Sequence, residues 1–144
     1  MTAGRAATAA TQLEEVLRTL CRVEGPPAAA LLGDVRPSES ALEFLRVEPT
    51  RFPAFAAIEL RPWTPARFGV AFPELAAATA WSPADLSDLL GPLEDGPRSQ
   101  RLGPELQGTL DDPALPARAV VYVVLASDDP DSPVDHMRIR IESR

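Results

Sequence analysis

The chain has 144 residues, 45% of them apolar, which suits one domain with a proper core and rules out wholesale disorder. It carries 14 basic against 21 acidic residues, a net charge of -7, so neither a nucleic-acid backbone nor an anionic membrane is the expected partner. A single cysteine, Cys21, excludes an intrachain disulfide and any multi-cysteine zinc site.

Every basic residue is arginine, lysine and asparagine are absent, and alanine and proline abound. Codon economy in a GC-rich bacterial genome accounts for this, so arginine here is no sign of bidentate chemistry preferred over lysine. The first residues lack the apolar stretch of a secretory signal and run into Glu14-Glu15. No apolar run approaches the roughly 18 residues of a membrane span. The expectation is a cytoplasmic protein.

Residues 1–10 are small and polar and read as a flexible N-terminus. Residues 11–22 form the first predicted helix. Leu13, Val16, Leu17 and Leu20 make one stripe, Thr11 and Glu14 a capping box, and Gly25-Pro26-Pro27 a stop. Residues 28–33 allow a short second helical segment, and 36–40 read as a turn or loop. Two strands follow at 42–48 and 55–61, the second with Ile58 and Leu60 facing one way and Glu59 and Arg61 the other.

Residues 62–73 (PWTPARFGVAFP) hold three aromatics and several prolines, a composition that argues against a central strand and for an ordered covering loop. Residues 74–79 add a helical turn. The clearest local signal is a helix over 82–90: Ser82 as N-cap, Pro83 at the first position, Asp85 closing the box, Trp81 and Leu86 as a hydrophobic staple, and Gly91-Pro92 as the end. Residues 93–116 form a long Gly/Pro-rich connection. A hairpin closes the chain, with strands over 118–126 and 134–142.

The predicted fold is a single α+β domain over residues 11–144, an antiparallel sheet of two hairpins with helices packed on one face. Leu31-Leu32-Gly33 and Leu89-Leu90-Gly91 both end helical stretches before strands, which marks a weak helix–hairpin duplication over 11–61 and 74–142. The ending Leu89-Leu90-Gly91-Pro92, with its loop and strand pair, resembles small bacterial lipoprotein and inhibitor domains built on helix-plus-hairpin repeats. Their lipobox cysteine and export signal are missing here.

Catalytic signatures are sparse. His136 is the single histidine, and strand alternation sends its neighbour Asp135 to the opposite face, which forbids a simple dyad. Cys21 reads as a small buried thiol. The acidic turn Asp128-Asp129-Pro130-Asp131 fails the EF-hand pattern, and no phosphate-binding or nucleophile-elbow motif occurs. No catalytic residue, metal ligand or cofactor is assigned.

The less bland feature is the strand over 118–126, apolar on both faces. Tyr122 on its second face adjoins Arg138 and Arg140, the composition of a contact hot spot. Either residues 62–73 fold over that face or it stays open. The functional expectation is a small acidic, non-catalytic protein-binding module of the inhibitor, immunity or adaptor type, with a basic protein partner. Tyr122, Arg138 and Arg140 would supply the contact surface, and the acidic loop residues Asp111, Asp112 and Asp129 the long-range attraction. The alternative is a small hydrolase using carboxylates, with His136 among its groups.

Overall fold

The computed structural model describes the chain apart from residues 1, 24, 40–43, 49–50, 65–66, 77–80, 97–104, 130–131 and 144, with backbone alone at 2–8, 62–64 and 67–68. Among the described residues, three helices, α1 (Thr2–Arg22), α2 (Pro26–Leu32) and α3 (Pro83–Leu90), accompany one antiparallel sheet of eight strands. The strands are β1 (Asp34–Pro37), β2 (Leu45–Glu48), β3 (Phe55–Thr64), β4 (Arg67–Leu75), β5 (Glu94–Asp95), β6 (Glu105–Leu110), β7 (Ala117–Leu125) and β8 (Val134–Ser143). Their spatial order is β1-β2-β3-β4-β8-β7-β6-β5. Two four-stranded meanders thus run inward from opposite edges, each preceded in sequence by helix, and meet where β4 lies beside β8.

The α+β class and the antiparallel sheet stand, but the sheet is far larger than two hairpins. The segment expected as a covering loop is mostly strand. Residues 62–64 extend β3 and 67–75 form β4, which sits between β3 and β8. Its prolines fit because Pro62 falls at register shifts, and Pro73 lies beyond the two pairs that β4 makes with β8. The 93–116 connection likewise contains β5 and β6. Residues 36–37, expected as turn, belong to the edge strand β1. Glu74 and Leu75 end β4 where a helical turn was expected, and 77–80 lie outside the described residues.

Helix α1 begins at Thr2, nine residues before the Thr11 capping box, so Thr11 is an interior position. Its stripe of Leu13, Val16, Leu17 and Leu20 is buried against one face of the sheet, in a cluster with Val47, Ile58, Leu60, Val121, Val123, Met137 and Ile139. Helix α2 ends at Gly33 as its sequence indicates, packs on β1 and β2, and adds Ala28, Ala29 and Leu32 to the same cluster.

Helix α3 follows its start signals closely. The Asp85 backbone N–H donates to Ser82 Oγ at 3.3 Å, Pro83 opens the helix, and Gly91 ends it at φ 78°, a conformation that favours glycine. Trp81 is buried at 2% exposure with Leu86 in the same core, and its ring lies 5.6 Å from that of Phe55. The Val134 N–H donates to the Trp81 carbonyl at 2.9 Å, tying the helix entry to the start of β8.

Candidate functional site

The register of β7 and β8 builds the site. Tyr122 pairs with Arg138 and Val120 with Arg140, so Tyr122, Arg138 and Arg140 share the sheet face opposite the main core. Arg138 lies over the phenol, its guanidinium carbon 4.0 Å from the ring centroid. The stack covers the ring, and Tyr122 is buried, where the sequence left an open and a covered face as alternatives. A desolvated guanidinium against an aromatic face contributes on the order of 1–2 kcal/mol.

A carboxylate completes this arrangement. Glu105, at the start of β6 and only 1% exposed, sits 3.6 Å from the Arg138 guanidinium. The Gly96 N–H donates to the Glu105 carbonyl at 2.7 Å. Backbone and side chain press together so closely that a Cβ at Gly96 would lie 2.5 Å from Glu105 Oε1. Glycine is needed there to let β5 approach a buried acid. A chain of contacts therefore runs from Gly96 through Glu105 and Arg138 to Tyr122, and it fixes the aromatic anchor.

Arg140 stands one step along the same face and is more exposed. It approaches Glu142 Oε2 through Nε at 3.3 Å, while Arg118 Nε donates to Glu142 Oε1 at 2.9 Å. Further across the face, Arg61 stacks on both Phe44 and Phe72 at 4.6 and 4.8 Å, and Arg46 binds Glu74 through two parallel hydrogen bonds of 2.9 and 3.1 Å. That fork holds the Glu74 carboxyl below its ordinary value, hydrogen bonding outweighing the opposing effect of burial. The second face is thus a field of arginines over aromatics and carboxylates. Of the aromatics expected to cover it, Phe72 is part of the sheet, while the side chains of Trp63 and Phe68 lie outside the described residues.

The acidic candidates are elsewhere. Asp111 and Asp112 lie in the β6–β7 turn and Asp129 in the β7–β8 turn, at opposite ends of β7 and about 30 Å apart at 3.3 Å per residue. Asp112 is structural: its Oδ2 accepts from Arg18 Nη1 at 2.7 Å and its Oδ1 from the Ala114 N–H at 2.9 Å, binding α1 to the turn. The Arg18 guanidinium is correspondingly held above its ordinary value, first by the hydrogen bond to Asp112 and then by that to Glu14. Asp129 serves its own turn, its N–H donating to Ser127 Oγ and its carbonyl accepting from Ser132 Oγ. Tyr122, Arg138 and Arg140 are brought together; the three aspartates do not join them.

One expectation about His136 is overturned. Its Nδ1 lies 2.8 Å from Asp135 Oδ2, so the adjacent pair does meet. The pairing of Val124 with His136 and of Leu125 with Val134 leaves Asp135 as an extra residue in β8, and that bulge suspends the strict alternation of faces. Both side chains are about 60% exposed, at 60% and 62%. Cys21 is buried, and no cluster of three or more His, Cys, Asp or Glu side chains suited to a metal exists among the described residues. No helix among them is long and apolar enough to cross a membrane.

Glu105, Arg118 and Glu142 were not singled out from sequence. The last two were within reach: once Tyr122 is set opposite Arg138, antiparallel counting puts Arg118 opposite Glu142. Glu105 opens a strand hidden within a Gly/Pro-rich stretch, and its burial depends on β5 folding back over it. Comparison with known proteins adds no assignment: no family model, curated protein or solved structure matches the chain.

Proposed function

We propose that this chain is a small, cytoplasmic, non-catalytic protein-binding module of the inhibitor, immunity or adaptor type. It gathers its helices on one face of the sheet and binds its partner with the other. The observation that supports this reading most is the Arg138–Tyr122 stack anchored on Glu105, with Arg140 beside it. Aromatic and arginine side chains held rigidly on a sheet lose little conformational freedom on binding, which is why they dominate contact hot spots. The partner is a protein that is basic overall, drawn by the net charge of -7, and neither nucleic acid nor membrane.

Affinity capture from the native host tests this, followed by calorimetry of wild type, Tyr122→Ala and Arg140→Glu. A specific protein partner should be recovered, and both substitutions should weaken it at least about tenfold while the circular dichroism spectrum is unchanged. The Asp135–His136 hydrogen bond favours a second reading, a small hydrolase. Recovery of no partner, with turnover in a hydrolase screen that His136→Ala abolishes, would transfer the assignment to that reading.

A further inference from the structure

The junction of the two meanders carries a pocket. Registered pairing between β4 and β8 comprises Val70–Arg140 and Ala71–Ile139. Next to these pairs, a cavity of about 390 Å³ opens between the strands, lined by Gly69, Val70, Arg118, Arg140, Ile141, Glu142 and Ser143. Its charge is unbalanced. Arg118 and Arg140 both converge on Glu142, and neither meets another carboxylate among the described residues. Two guanidiniums on one carboxylate leave one positive charge in excess, in a chain whose net charge is -7.

The guanidiniums are half-exposed, with side-chain exposures of 48% and 57%, so an incoming group reaches them without first unfolding the ladder. Each has five N–H donors, and their closest approach to Glu142 is through Nε. The planar fork that matches a second carboxylate is thereby presented by the terminal nitrogens. Val70, paired with Arg140 across the junction, adds an apolar wall suited to a methylene stem. We propose that this junction pocket is a carboxylate subsite that receives a glutamate or aspartate side chain of the protein partner. The inference rests on the binding reading above and adds the chemistry of one contact. The partner is basic overall but places an acidic residue here, and that pairing sets the register in which it docks on the Tyr122 face.

The test uses the full chain and no natural partner. A capped, neutral peptide holding one glutamate and one lysine is titrated while the arginine Nε–Hε resonances are followed by NMR. A second peptide has glutamine in place of the glutamate, and inorganic phosphate is a third probe. The glutamate peptide should move the Arg118 and Arg140 resonances together and leave that of Arg36, on the β1 edge, in place; the glutamine peptide should move none. Arg140→Gln should weaken binding at least about fivefold, and Glu142→Gln should strengthen it about threefold, because the internal carboxylate no longer competes. Equal response at all exposed arginines, response to phosphate alone, or weakening by Glu142→Gln would each overturn the proposal. Failure here with a Tyr122-dependent partner still captured would remove the carboxylate subsite and leave the binding module; failure of the capture would remove the module itself.

Discussion

Gly108 sits in β6 where α3 crosses it, and a Cβ there would lie 2.8 Å from both Leu90 Cβ and Leu93 Cδ2. Leu90 is buried and its Cβ moves only with the backbone of α3, so Gly108→Ala should destabilise the fold by about 1–3 kcal/mol through overpacking. Urea denaturation monitored at the tryptophans would show this as a lower midpoint with unchanged slope; an unchanged midpoint would mean α3 shifts freely over the sheet. Trp81 is the opposite case, a large side chain filling a space that nothing else fills. Trp81→Ala should cost on the order of 3 kcal/mol, and Ser82→Ala about 1 kcal/mol through loss of the helix cap. Equal small effects from the two substitutions would contradict the buried ring.

Elements were legible in sequence wherever local chemistry decides them. Helix α3 shows its cap, its proline and its terminal glycine, and the β7–β8 hairpin shows β-branched residues and alternation. Strand β6 was hidden because Gly108 occupies an apolar position on the core face, and the reason for it lies in α3, distant in sequence. Strand β4 was hidden because Pro73 is tolerated only beyond its pairing with β8, and Pro62 of the neighbouring β3 only at register shifts, which no local pattern reveals. The site was half legible for a related reason. Hairpin alternation brings Tyr122, Arg138 and Arg140 to one face, but Glu105 comes from a strand that sequence alone does not mark. On the same face, Arg46 and Glu74 bridge β2 and β4 across β3, and this pair gives the sheet a mild pH dependence. The Glu74 carboxyl is depressed by its hydrogen bonds from Arg46, so its contribution is complete above the ordinary carboxyl value of 4.5 and fades as pH falls through the lower folded value. Glu74 is half-exposed, which limits the effect to about 0.5 kcal/mol. Glu74→Gln should therefore be slightly less stable than wild type at neutral pH, with the gap closing in acid. A gap that widens in acid would contradict the assignment.

At the scale of the whole molecule, the second face of the sheet sets Arg138 and Arg140 among carboxylates of its own strands, while Asp111 and Asp129 stand on turns at its two ends. Neither turn is within reach of a group bound at Tyr122, since half the length of β7 is about 15 Å, beyond the roughly 10 Å over which charges act strongly in 0.1 M salt. On the proposed binding reading, the turns would act on approach and the arginine face on residence. Asp111→Asn and Asp129→Asn together should slow association with a basic partner severalfold at low salt and leave dissociation nearly unchanged. Raising the salt should erase the difference, because the attraction they supply is screened. Arg140→Glu should act in the reverse manner, speeding dissociation at every salt concentration. Surface plasmon resonance with the captured partner at two ionic strengths separates the cases. An accelerated off-rate from the aspartate variants would place the turns inside the interface and move the binding surface from the sheet face to its ends.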